Sequence, residues 1–239
     1  MTPHVWSASV PKRGNTAAQN EDAVAHRPMP PLPRDAFYSF AVSDGASEGW
    51  QSGLWATALA TAYCGQAPFP RDYEAWLSAC RATFAELAPT ATAAAWYVEE
   101  KQQQGAYATL AGFTLEEARD GGWRWRSLAV GDSCLFQVRS GNLRVCFPVE
   151  SASAFTNAPN LVGSLAGNSP EWLAGRAAVG DVFYLLTDAL AEWFLREPTA
   201  LSELELARPA TFAAWVDALR DARRLKNDDT TALRVELLP

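Results

Sequence analysis

The sequence predicts an α+β fold, on two observations. Residues 106–149 carry successive strand-like segments separated by tight turns, and helical periodicities stand on both sides of that block. The length of 239 residues exceeds the commonest domain size, yet mixed folds built around large sheets often use it as one unit. No internal repeat or interdomain linker interrupts the chain, so a single domain over 1–239 is expected.

The first clear strand is 37–43, and Ser43-Asp44-Gly45 ends it with turn-forming residues, leaving Asp44 at a strand end. Trp55, Ala58, Leu59 and Ala62 then recur at helical spacing, and further helical stretches are expected within 73–87 and 90–104. From residue 106 the texture changes. Segments 106–115, 123–130, 134–139 and 143–149 read as strands of an antiparallel meander, with Asp120-Gly121-Gly122 and Ser140-Gly141-Asn142 as turns. Residues 151–170 are polar, hold glycine and proline and show no period, so they read as a long loop of the kind that shapes substrate sites.

The apolar run 182–186 stops at Thr187-Asp188, before a helical pattern over 190–196. Phe212, Trp215, Val216 and Leu219 give the i, i+3, i+4, i+7 spacing of an amphipathic helix. Arg220, Arg223 and Arg224 close it, where cations suit the negative end of the helix dipole. The last strand alternates, with Thr231, Leu233, Val235 and Leu237 on one face. The proline-rich segment 26–35 reads as a rigid surface loop.

Apolar residues at 49% and charged residues at 20% supply a sizeable core and argue against disorder. A formal net charge of -7 lacks the basic field of a nucleic-acid or membrane binder, so neither partner is expected and the tryptophans are assigned to the core. Cys64, Cys80, Cys134 and Cys146 show no C-x-x-C pairing and no histidine at ligand spacing, which indicates neither a zinc site nor a redox motif. They read as reduced thiols. With no signal-peptide pattern and no apolar run of about 20 residues, a cytoplasmic location is expected.

The acidic residues share a context. Asp44 and Asp188 follow apolar strands, Asp132 lies in the Gly131-Asp132 turn between two strands, and Asp228 precedes the last strand. Asn20-Glu21-Asp22 adds two more carboxylates. Hard divalent cations such as Mg²⁺ and Mn²⁺ take carboxylate and water oxygens, and crowded carboxylates repel one another without a cation. Aspartate also favours strand-end turns on its own account, so the set points to a metal site where no single member does.

In wording and order these segments resemble the metal-dependent protein phosphatases of type 2C. Asn20-Glu21-Asp22 is similar to that family's opening N-[ED]-D element, and Ala41-Val42-Ser43-Asp44-Gly45 to its apolar strand ending in D-G. Leu128-Ala129-Val130-Gly131-Asp132-Ser133 resembles its G-D-S strand turn. Gly180-Asp181 with Leu185-Leu186-Thr187-Asp188, and Asp228-Asp229-Thr230-Thr231, resemble its last two elements. Thr109 and Gly112 occupy a place suited to its central strand. The resemblance runs from about residue 14 to the end.

It implies a four-layer α-β-β-α sandwich with two central, mainly antiparallel sheets flanked by helices. It also implies two divalent metal ions, Mn²⁺ or Mg²⁺, with a third in some members. Asp44 would bridge the pair, Glu21 and the carbonyl of Gly45 would serve the second ion, and Asp188 with Asp228 would hold the first. Asp22 would act through metal-bound water, and Asp132 would serve the third, weaker site. The implied reaction is hydrolysis of phosphoserine or phosphothreonine on a protein by a metal-activated bridging water, with Asp22 and Asp44 as catalytic residues. A Ser/Thr kinase is the implied partner.

The chain departs from the pattern in several places. Ala17 stands where the family has the arginine that grips phosphate, three residues before Asn20, and Arg13 is the nearby candidate for phosphate binding. Ala46 replaces the histidine that some members use as a general acid, and Ala189 replaces the glycine after Asp188. These differences resemble a divergent bacterial branch. His4 and His26 are the only histidines and read as surface residues, which leaves protonation of the leaving oxygen to metal-bound water. Two other functions stay open: a pseudophosphatase acting as a docking module in a kinase system, and a small-molecule phosphate hydrolase. The second has no P-loop or Rossmann signature to support it.

Overall fold

The structure is a computed structural model that describes residues 2–27, 37–47, 49–88, 101–118, 121–156, 158–166 and 169–239. In the first sheet, β1 (Thr2–Val10) pairs with β12 (Thr230–Leu238), followed by β11 (Asp181–Leu186), β7 (Cys134–Arg139) and β8 (Asn142–Phe147). The second sheet runs from β10 (Glu171–Ala177) through β6 (Trp123–Val130), β5 (Leu110–Glu117) and β3 (Phe37–Asp44) to β2 (Asp22–His26). Neighbouring strands in both sheets are antiparallel. A short ribbon pairs β4 (Tyr107–Ala108) with β9 (Val162–Gly163).

Three hydrophobic layers separate four structural ones. Phe113 and Phe183 meet between the sheets with ring centroids 4.5 Å apart, and Leu233, Val235 and Leu237 of β12 share that layer. Ala232, on the opposite pleat of β12, faces the helices α3 (Asp188–Arg196), α4 (Ala200–Leu206) and α5 (Pro209–Asp221). Helices α1 (Ser52–Gly65) and α2 (Tyr73–Leu87) cover the outer face of the other sheet. Tyr63 of α1 lies so close to β5 that a Cβ on Gly112 would run into its ring. Trp6, Trp55, Trp125 and Trp193 are core residues, and burying a large apolar side chain stabilises by about 1.5–3 kcal/mol. The architecture is the four-layer α-β-β-α sandwich.

Sequence pattern located the strands with a buried face. It missed β1, β2, β10 and α4. Strand β10 lies at a sheet edge with mostly exposed side chains, so it carries no apolar alternation to find. The stretch 151–170 is a loop for much of its described length, but it also holds a 3-10 turn at Ala152–Ala154 and β9. Of the helix expected within 90–104, residues 101–104 are helical and 90–100 lie outside the described residues, as do 28–35 and Asp120. No described helix is long and apolar enough to cross a membrane.

Candidate functional site

The aspartates converge because the strands that carry them end at one edge of the sandwich. Asp44 closes β3 and pairs in register with Asp22, which opens β2. The backbone N–H of Asp44 donates to Thr109 Oγ1 at 3.0 Å, and Thr109 Oγ1 shares a 2.6 Å hydrogen bond with Ser133 Oγ. The β6–β7 turn carrying Asp132 is thereby tied to Asp44. That turn requires Gly131: its φ is +93°, and a Cβ there would stand 2.7 Å from Thr109 Cγ2 and 2.8 Å from the carbonyl of Asn160.

The other sheet supplies Asp188, at the start of α3, and Asp228, two residues before β12. Thr187 joins the two sheets: its hydroxyl donates to Asp22 Oδ2 at 2.9 Å while accepting from the N–H of Thr231 at 2.9 Å. Asp229 adds a second tie, accepting from the N–H of Lys12 at 2.7 Å and of Glu21 at 2.8 Å. Gly45 donates its N–H to the Glu21 carbonyl at 3.1 Å, in a space where a Cβ would stand 2.6 Å from the backbone of Ser52.

Asp44, Gly45, Asp132, Asp188 and Asp228 line one cleft of about 380 Å³, together with Thr109 and Lys226. Glu21 opens instead onto a neighbouring groove of about 700 Å³, which shares Ser47 with the cleft. The Arg13 guanidinium is engaged on α5, 3.2 Å from Asp217 and 2.7 Å from Asp221. Sequence reasoning missed Asp229 and Lys226. The Asp228-Asp229 doublet hinted at the first, but nothing local marks Lys226, whose ammonium contacts Asp188 and lies 3.5 Å from Asp228.

Burial and crowding act together on these acids. Asp22 is pushed up to about 8, by burial first and then by the charges of Asp188 and Asp229, against hydrogen bonds from Thr231 and Thr187. Asp44 is raised well above the carboxylate range by burial and by Asp22, Asp188, Asp228 and Asp132. Asp132 is pushed up to about 6 by burial and by Asp188, which Lys226 partly offsets. Burial also raises Asp188, with Lys226 opposing it. Asp22 Oδ1 is buried without a hydrogen-bond partner.

Among the described residues, no group of three or more His, Cys, Asp or Glu side chains is drawn together as a metal-holding set. The donor chemistry nevertheless fits a hard divalent cation. The donors are carboxylate oxygens, they repel one another, and one buried oxygen lacks any partner.

The class of fold is that of the type 2C metal-dependent phosphatases, and the match runs over the whole chain. The serine/threonine phosphatase PstP/Ppp of Mycobacterium tuberculosis aligns with a TM-score of 0.62 at 16% identity, covering 100% of both chains. PppA of Pseudomonas aeruginosa aligns with a TM-score of 0.58 at 19% identity, covering 99% of this chain and 98% of its own. RsbX, solved in complex with magnesium, aligns with a TM-score of 0.58 at 16% identity, over 98% of this chain and 95% of its own. At such identities the likeness establishes the fold. No protein-family model and no curated protein sequence matches the chain.

Proposed function

We propose that the chain hydrolyses phosphoserine and phosphothreonine in cytoplasmic proteins with the help of divalent cations, opposite a Ser/Thr kinase. The convergence of Asp44, Asp132, Asp188 and Asp228 on one cleft carries this reading. Carboxylates crowded in this way are stable as anions only beside cations, and oxygen ligands select Mn²⁺ or Mg²⁺. A structure of PstP in complex with two manganese ions aligns with the chain at a TM-score of 0.59, which supports the same reading.

Asp44, Asp188 and Asp228 would hold the ions, with Gly45 and Glu21 on the groove side and Asp132 as a further ligand. Bound there, the ions would supply a water activated at neutral pH and offset charge on the phosphoryl oxygens. The chain's own residues do the positioning. Thr109 and Thr187 fix Asp44 and Asp22 through their hydroxyls, and Asp22 offers its unpartnered Oδ1 to a water. A phosphate-gripping role for Arg13 would require it to leave Asp217 and Asp221.

The test is hydrolysis of p-nitrophenyl phosphate and a phosphothreonine peptide with Mn²⁺ or Mg²⁺ by the parent, Asp44→Ala and Asp188→Ala. Activity in the parent and its loss in both variants is expected. Metal-dependent activity that survives both substitutions removes the site assignment. One observation favours a second reading, a docking module with weak metal binding: the Lys226 ammonium already occupies Asp188 and Asp228. A folded parent that takes up neither ion decides for that reading.

A further inference from the structure

Phosphate esters are anions, and a cleft lined by aspartates repels them unless cations stand at its mouth. The basic side chains around this cleft are unequally engaged. Lys226 is held by Asp188 and Asp228, and Arg13 by Asp217 and Asp221. Arg220 is buried and donates to the carbonyls of Pro11 and Asp228 and to Thr230 Oγ1.

Lys12 differs. Among the described residues its ammonium forms no ion pair, and its partner is the neutral hydroxyl of Ser47 at 3.1 Å. Ser47 lies three residues beyond Asp44 and lines both the acidic cleft and the groove that Lys12 also lines. The lysine backbone is fixed relative to the site. Its N–H donates to Asp229 Oδ1 at 2.7 Å, while Asp229 Oδ2 accepts from Glu21 at 2.8 Å.

We propose that Lys12 is the side chain that grips the substrate's phosphate, at the junction of the acidic cleft with the groove beside it. This rests on the hydrolytic reading above. To reach an anionic oxygen the ammonium exchanges a neutral acceptor for a charged one, and such bonds are about twice as strong as neutral ones. Arg13 would first have to break two ion pairs. Lys12 thus supplies the positive charge that is missing at Ala17. An ammonium is a point charge where guanidinium is a planar fork, so it attracts the phosphate without fixing its rotation.

Inorganic phosphate titrated calorimetrically into the Mn²⁺-loaded protein tests the assignment. Lys12→Met is expected to weaken phosphate binding roughly ten- to a hundredfold, the range for losing one charge-assisted hydrogen bond, and Lys12→Arg to recover most of it. With p-nitrophenyl phosphate, Lys12→Met raises KM more than it lowers kcat. A Mn²⁺ titration of parent and Lys12→Met gives equal affinities, which separates a lost phosphate grip from a lost metal. Unchanged phosphate affinity in Lys12→Met overturns the assignment, as does a larger loss in Arg13→Met or a Mn²⁺-loaded parent that binds no phosphate. Lys12-dependent phosphate binding in a parent that hydrolyses no phosphomonoester supports the grip and removes the hydrolytic reading alone.

Discussion

A carboxylate stands at each end of strand β11, Asp181 fully buried and Asp188 just beyond it partly buried, and the two meet opposite fates. Asp181, at its start, receives Arg139 Nε and Nη2 at 2.6 and 2.7 Å, Gln137 Nε2 at 2.8 Å and the N–H of Ala178 at 2.9 Å. Burial alone would raise its pKa, but Arg139, Ala178 and Gln137 together hold it below the usual value. Asp188, just past the other end, is raised by burial, with Asp228 adding to the effect and Lys226 opposing it. Burial raises both, and the donors gathered on Asp181 outweigh it where Lys226 on Asp188 does not. One end of the strand is electrostatically closed, and at the other Lys226 offsets the crowded carboxylates only in part.

Activity should break along that divide first. On the hydrolytic reading proposed above, Asp188→Asn should lower metal-dependent phosphatase turnover by about three orders of magnitude, because losing a metal ligand would remove several kcal/mol of transition-state stabilisation. Thermal unfolding in EDTA should show that variant no less stable than the parent. Asp181→Ala should do the reverse: denaturant titration should show a loss of about 2 kcal/mol, the scale of charge-assisted hydrogen bonds to a half-exposed arginine, with turnover per folded molecule retained.

Mn²⁺ at about a hundred times its dissociation constant should stabilise the parent by about 2.7 kcal/mol. The same addition should leave Asp188→Asn nearly unmoved, as differential scanning calorimetry would show. A gain of equal size in that variant would mean that Mn²⁺ binds elsewhere.

The two ends should also answer pH with opposite signs. Asp132 and Asp22 bind protons more tightly folded than unfolded, so their contribution is fully present below the ordinary Asp value of about 3.9. It is lost as pH rises through about 6 and about 8. Asp181 binds its proton less tightly when folded, so its contribution is present above the ordinary value and lost on acidification. Urea unfolding in EDTA should therefore give higher stability at pH 5 than at pH 8, and Mn²⁺ should shrink the difference. The smallest effect is expected at the surface: both histidines are exposed, so replacing His4 and His26 with alanine should leave this pH dependence in place.

Legibility differed between the fold and the site. Strands packed into the core, such as β12, were plain from their apolar pattern, while the exposed edge strand β10 was silent because its environment asks nothing of its side chains. Among the site residues, Asp44, Asp132, Asp188 and Asp228 announced themselves by standing at the ends of apolar runs. Asp229, Lys226 and Lys12 did not, because each acts on residues far along the chain; the Lys12–Asp229 bond spans 217 positions.

The order of apolar runs, the aspartates that close them and the alanine at position 17 were settled by the sequence alone, since propensity and periodicity depend on near neighbours. The tertiary structure decided which charges share a cleft. It set Asp181 on an arginine, turned Arg13 toward α5, left the Lys12 ammonium without a carboxylate among the described residues and brought Asp188 against Lys226. Charge interaction acts through space and falls with distance, and only the folded chain determines those distances.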